Sequence, residues 1–284
     1  MRLGTYSALE KATVYTFLIV LFAITLFPIV YAFLSSLKTN QEILVGGIRI
    51  LPRKIVWQNY SEAWKTANFR RFTFNSLYMT ALIVVGTMLS ATMLGYVFSR
   101  ATIQGKNFIF AVMVATMFIS LGSMTLYPLT RLARIIGINK GLWGVIIIRV
   151  LGLNIPCIYL VRNYMETISS EIDQAACIDG CSFFRIYWNI ILPLMQPIVA
   201  TVGLIMFMFA WNDYLLPLVF TLANPDWQPL VVGVARLKSS GGQAASSWNI
   251  MMAGTMISVV PMIVVYLILN RYFIAGLTEG SLKG

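Results

Sequence analysis

Six stretches of the chain stay apolar long enough to cross a bilayer, and the polar and charged residues gather between them. They lie near 12–36, 72–98, 107–129, 141–164, 195–221 and 249–274. Each reaches the roughly 20 residues that a helix needs to cross about 30 Å of hydrocarbon. Inside lipid every backbone N–H and C=O must find a partner within its own segment, so the pattern predicts helices. The expected fold class is an all-α membrane protein with six transmembrane helices in a single domain, 1–284. Pro28, Pro128, Pro156, Pro217 and Pro261 fall within these stretches. Each removes a helix hydrogen bond and predicts a kink. In the second stretch Gly86, Ser90, Ala91 and Gly95 recur at near-helical spacing, which would let a neighbouring helix approach closely.

One region interrupts the oily pattern. Four of the ten acids, Glu166, Glu171, Asp173 and Asp179, fall close together around the segment EIDQAACIDGCSFFRIYWNIILPLMQP, residues 171–197. Glu171 and Asp173 stand in a first helical turn, where carboxylates complement the positive end of the helix dipole. Ala175 and Ala176 favour helix, and Gly180 is a natural stop just past its end. Ser182 then caps a second helix, FFRIYWNIIL, which Pro193 ends. The first helix is about two turns long and cannot span. Small side chains with an acidic fringe suit a groove on another protein, whereas helices that lie on anionic lipid are basic.

Composition narrows the class further. Hydrophobic residues make 58% of the chain and charged ones 11%, with mean hydropathy +0.79, too little polarity to coat a soluble domain. There is no histidine, and the cysteines are Cys157, Cys177 and Cys181. That excludes ordinary zinc sites and imidazole-based triads, and the thiols read as small hydrophobes. No G-x-x-x-x-G-K-[ST] phosphate loop occurs, so the chain is not itself an ATPase. Without a nucleophile and base pair it is not expected to be an enzyme, and it needs no cofactor of its own. The net charge of +11 is dispersed, which does not indicate nucleic acid. The first stretch carries no cleavage signal and is expected to stay as the first helix.

Two ionisable residues fall well inside the apolar stretches, Arg149 and Asp213. A charge at bilayer depth costs about 2.5–3.5 kcal/mol on insertion scales, so each is a functional candidate. Asp213 sits in WNDYLLPL with Trp211, Asn212 and Tyr214. Aromatic faces stack on sugars while amide and carboxylate groups bond hydroxyls, which is the chemistry of a saccharide path. The alternative is an ion- or proton-coupled secondary transporter that titrates Asp213.

The pattern Ala175–Ala176–x–x–Asp179–Gly180, followed by Ile190–x–Leu192–Pro193 and Pro197, resembles the EAA loop of binding-protein-dependent ABC importer permeases. WNDYLLPL at 211–218 and RYFIAGLTEGSLKG at 271–284 are similar to the carbohydrate branch of that family, in particular its maltose-type, MalG-like subunits. The likeness runs over nearly the whole chain. It departs from the family at Gln174, where a glutamate is usual, and at Cys181, where alanine is usual.

The resemblance implies a cytoplasmic helix-turn-helix coupling loop, residues 165–194, between the fourth and fifth spans. Its ATPase-coupling residues would be Glu171, Asp173, Gln174, Ala175, Ala176, Asp179, Gly180, Leu192 and Pro193. The implied partners are a second permease subunit, two ATPase subunits that bring ATP and Mg, a solute-binding protein outside, and a sugar. Both termini would face the cytoplasm of a bacterial inner membrane. Arg149 would face the substrate pathway and meet an anionic or hydroxylated ligand, or else form a structural pair. Because the other permease of that branch holds most of the sugar, Trp211, Asn212, Asp213 and Tyr214 are expected to shape the gate, with the interface between the two permeases as the alternative.

Six spans place both termini and the 165–194 loop on one side, with eight Lys and Arg against twelve on the other and net charges of +2 and +9. The positive-inside rule would invert that orientation. With the termini inside, the basic outer face predicts an anionic visitor: an acidic oligosaccharide such as a uronate, or an acidic docking rim on the binding protein.

Overall fold

A computed structural model of the chain describes residues 8–47, 49–66, 68–119, 121–237 and 247–281, with side chains as far as Ile268. Arg2, Lys238, Lys283 and the side chains of the 271–284 stretch lie outside this description. Among the described residues there are helices and connections but no strand. The chain divides into two units, 1–69 with 234–259, and 70–233 with 260–284.

In the first unit, α1 (Ala8–Ser36) is apolar all round, and none of its most hydropathic window is buried by the protein. Phe17, Ile19, Phe22 and Ile24 each stand more than 60% exposed, as befits a helix solvated by hydrocarbon. Two short helices, α2 (Asn40–Val45) and α3 (Gln58–Thr66), come next in the chain. Buried Asn59 gathers them: its amide donates to the carbonyls of Ser36 and Lys38 at 2.7 and 2.8 Å and accepts from Asn249 at 2.8 Å. Lys38, only 3% exposed, donates to the Arg49 carbonyl at 2.6 Å. This polar knot satisfies backbone groups that the end of α1 leaves open.

The second unit is built on α4 (Phe69–Arg100), a helix of 32 residues. Gly86 and Gly95 lie where α4 meets α7 (Gly141–Leu151) and α8 (Ile155–Met165), which come after α5 (Lys106–Thr116) and α6 (Leu126–Ile136) in the chain. A Cβ added at Gly86 would come within 2.6 Å of Val150, and one at Gly95 within 2.5 Å of Val161 and 3.1 Å of the Arg162 nitrogen. The small-residue stripe therefore seats two neighbours, as its spacing suggested. Gly95→Val is expected to destabilise the chain by about 1–3 kcal/mol through overpacking, read as a lowered unfolding midpoint in detergent.

Long single spans are fewer than the apolar stretches. Among the described residues three helices suffice alone: Glu10–Ser36, Phe69–Arg100 and Trp248–Ile268. The 107–129 stretch departs from the single helix expected of it. It stops at Thr116, and after a one-turn 3₁₀ segment at Gly122–Thr125 the chain restarts as α6. That helix carries Arg131 and Arg134 among apolar positions, an amphipathic pattern unlike a lipid-facing span. The 141–164 stretch is broken at Gly152–Leu153–Asn154, with a 42° bend between α7 and α8. Leu153 takes φ +45°, and the Asn154 side chain accepts from the Cys157 nitrogen at 3.0 Å to cap α8.

The remaining helices are α9 (Ser170–Ile178), α10 (Phe183–Leu194), α11 (Gln196–Trp211), α12 (Leu215–Thr221), α13 (Leu230–Leu237) and α14 (Trp248–Ser281). The 195–221 stretch is thus also broken, at 212–214. Three of the five prolines do not kink a helix. Pro128, Pro156 and Pro217 stand in the first turns of α6, α8 and α12, where an N–H has no partner to lose. Pro28 and Pro261 lie inside α1 and α14.

Candidate functional site: a capped hairpin and a buried ion pair

The acidic segment folds as two helices joined by a tight stop. Ser169 caps α9 by accepting from the Glu171 nitrogen at 3.3 Å, with Glu171 and Asp173 in its first turn. At the other end Gly180 takes φ +81°, its N–H donates to the Cys177 carbonyl at 3.0 Å, and the Cys181 N–H reaches back to the Ala176 carbonyl at 3.0 Å. This pair of bonds is a Schellman stop, and it requires the left-handed backbone that glycine adopts without a Cβ penalty. Ser182 caps α10, accepting from the Arg185 nitrogen at 3.4 Å.

The second helix does not end at Pro193 as the sequence suggested. It widens into a π-turn over Tyr187–Ile191 and runs on through Leu192–Leu194 before bending by 80° into α11. Proline removes an N–H and crowds the preceding turn; a π-turn just ahead of it accommodates both.

Helical spacing sorts the candidate coupling residues. Glu171, Ala175 and Ile178, at i, i+4 and i+7, share an exposed face of α9 with Gln174 and Asp179 on its flanks. Ala176 is buried and Asp173 turns inward, its side chain 14% exposed. Leu192 and Pro193 do not join that face; with Met88, Thr92 and Trp188 they line a separate cavity of about 360 Å³. Ile178, 87% exposed, was not among the sequence candidates, though its i+7 relation to Glu171 was available to find it. Beneath α10 the buried Tyr187 hydroxyl meets Thr92 Oγ1 at 2.8 Å, and burial pushes its phenol above the ordinary value.

Arg149 and Asp213 prove to be partners. Arg149 Nε donates to Asp213 Oδ2 at 2.7 Å, with side chains 28% and 6% exposed. The guanidinium also lies over the Phe209 ring, 4.9 Å from its centroid. Each charge thus offsets the desolvation of the other, and neither is left bare among apolar neighbours. The pair borders a cavity of about 590 Å³ lined also by Ser123, Thr125, Asn212 and Tyr214, where α11 breaks and the one-turn segment Gly122–Thr125 passes. In a membrane protein irregular backbone is tolerated where it lines a cavity. Trp211 is not part of it: it is 1% exposed and stacks on Phe207 at 5.6 Å, so its ring is packing material rather than a sugar platform. The Asn212 amide donates to the Met208 carbonyl at 2.8 Å, holding the end of α11.

A third cavity, of about 510 Å³, opens at the turn between α6 and α7. It carries Arg134, Lys140, Asn139, Trp143 and Trp227 and no acid, the neighbouring Asp226 being paired with Arg71 at 3.0 Å.

Helices without strands among the described residues, apolar helices broken around a buried ion pair, and a capped hairpin with one exposed face define a membrane transport component. Residues 107–279 match the family of binding-protein-dependent transport system inner membrane components, and the chain belongs to that family. The chain is 30% identical over 265 residues to the arabinooligosaccharides transport system permease protein AraQ of Halalkalibacterium halodurans, covering 92% of each. It is 29% identical over 260 residues to the sulfoquinovosyl glycerol transport system permease protein SmoH of Agrobacterium fabrum, covering 91% of this chain and 89% of the other. A bacterial ABC transporter involved in the import of the acidic polysaccharide alginate contains a chain with a TM-score of 0.80 and 25% identity, covering 95% of this chain and 99% of that one.

Proposed function

We propose that this chain is the transmembrane permease subunit of an ATP-driven, solute-binding-protein-dependent sugar importer. It would span the inner membrane six times, with both termini and the α9–α10 hairpin in the cytoplasm. A second permease would complete the pathway, two ATPase subunits would bind below, and the binding protein would deliver from above. The observation that carries this reading is the hairpin within the matched family region: a short helix with an exposed Glu171–Ala175–Ile178 face and a rigid Schellman stop. Such a face suits the groove of a partner, and its stiff terminus lets a push on α9 move α10 and α11. ATP binding would draw the ATPases together and rock the spans outward, and hydrolysis would reset them.

The sugar reading is supported by relatives named for arabinooligosaccharides and sulfoquinovosyl glycerol, and by the alginate importer. The two last-named cargoes are anionic. The cavity bearing Arg134, Lys140 and two tryptophans, on the face assigned to the outside, gives an acidic oligosaccharide or an acidic binding-protein rim a place to be attracted. Arg149 and Asp213 act as a gate beside the path, opening and closing with the rocking of α11. The rival, titration of Asp213 in a secondary transporter, must break the Arg149 pair and leaves the hairpin unused.

Copurification tests the partners: an ATPase subunit encoded beside this chain should remain bound in detergent. Orientation has its own test. Cys177 is exposed and Cys157 is buried, so a membrane-impermeant maleimide should label Cys177 in inverted vesicles and spare it in intact cells. Labelling from outside would overturn the coupling assignment.

A further inference from the structure

Asp173 stands beside the proposed docking residues in sequence, yet its carboxylate is fully engaged inside the subunit. Arg100, the last residue of α4, donates from Nε to Asp173 Oδ2 at 3.0 Å and from Nη2 to the Ile168 carbonyl. Tyr96, one turn earlier and 2% exposed, donates from its hydroxyl to Asp173 Oδ1 at 3.2 Å. The Tyr96 ring also packs on Phe183 at 4.5 Å and on Tyr187 at 5.6 Å, while Thr92 meets the Tyr187 hydroxyl. Thr92, Tyr96 and Arg100 recur at i, i+4 and i+8, so a single stripe of α4 grips both helices of the hairpin.

We propose that the Arg100–Asp173–Tyr96 clamp is the positioning device that transmits movement of the hairpin to α4, and that Asp173 is not a docking residue for the ATPase. The proposal rests on the reading of α9 as the coupling helix. Its physical basis is stiffness. Both carboxylate oxygens are held, the guanidinium bonds two groups at once, and the side chains of Arg100 and Asp173 are 16% and 14% exposed, so water competes weakly. The charges also suit their helices: the cation ends α4 and the carboxylate opens α9. Motion of α9 therefore drags the end of α4 rather than sliding past it, and the Tyr96 and Thr92 contacts keep α10 in step.

The test uses the whole transporter, coexpressed with its neighbours and placed in nanodiscs, with a fluorophore on Leu77→Cys as the only cysteine. Leu77 is an exposed α4 side chain, and its response to ATP plus vanadate reports movement of that helix. Arg100→Gln and Asp173→Asn should each cut the response at least about fivefold, because each leaves a partly buried charge unpaired. ATP hydrolysis and ATPase copurification should persist. The exchanged pair, Arg100→Asp with Asp173→Arg, should recover part of the response, limited by the now unfavourable helix dipoles. Tyr96→Phe keeps the ring packing and removes one hydrogen bond, so a fall of about two- to threefold should appear even if the charge variants insert poorly.

An unchanged α4 response in these variants overturns the clamp, and so does loss of the ATPase subunit on Asp173→Asn, which would make Asp173 a docking residue. Ile178→Asp separates the underlying reading. If the ATPase stays bound and active with that change on the exposed face, it is the coupling assignment of α9 that fails. If binding is lost, the assignment stands and the clamp is judged on the α4 response alone.

Discussion

Gly180→Pro is expected to abolish uptake by the assembled transporter while leaving membrane insertion and yield intact. Proline is confined to φ near −65°, and this position requires +81°. The substitution also deletes the N–H that donates to the Cys177 carbonyl. The stop between α9 and α10 would therefore unravel, and a push on α9 would be absorbed by a slack joint. Gly180→Ala is the graded control. Nothing lies within 4 Å of an added Cβ there, so the cost is left-handed backbone strain alone, about 1–2 kcal/mol. Asp179→Arg probes the surface instead of the joint: a cation at the end of α9 favours the dipole, so the hairpin keeps its fold while the face shown to a partner reverses sign. It should also eliminate uptake. Normal transport in both Gly180→Pro and Asp179→Arg, measured in whole cells beside a surface-expression control, would remove the mechanical role of the hairpin.

The second large effect concerns the buried Arg149–Asp213 pair. Removing either partner, as in Asp213→Ala or Arg149→Leu, leaves the other charge buried without its counter-ion, a loss of about 3–5 kcal/mol. The unfolding midpoint in detergent should fall clearly in both. The double variant Arg149→Leu with Asp213→Leu replaces the pair by apolar side chains and should recover most of that stability, since desolvating two charges offsets much of their attraction. Uptake discriminates between a gate and a staple. A gate must break and re-form, so the stable double variant should remain transport-defective. Full transport by the double variant would show that the pair only holds α7 to the break after α11.

Local chemistry in the hairpin was legible because its signals are short-range: Ser182 caps by accepting from a nitrogen three residues on, and Gly180 closes a loop of six residues. The breaks in the apolar stretches were less so. Hydropathy reports side chains, and a span interrupted at Gly152–Leu153–Asn154 or at 212–214 is as oily as an unbroken one. The clue was the position of the prolines, three of which open helices here. Which acid of α9 faces inward was hidden altogether, because Asp173 is claimed by Tyr96 and Arg100, 77 and 73 residues away. Arg149 and Asp213 stood out singly as costly charges, but their union across 64 residues could come only from the packing of α7 against α12, just past the break that holds Asp213. Trp211 misled for the same reason: an indole beside Asn212 and Asp213 looks available to sugar until its burial is known.

The bare surface of α1 carries a final implication. A helix with no protein cover over its most hydropathic window has nothing to hold it upright except what surrounds it. Its inclination must therefore track the thickness of the surrounding lipid, or the flank of whatever neighbour lies against it. This makes α1 a part of the subunit whose set answers directly to the composition of the bilayer.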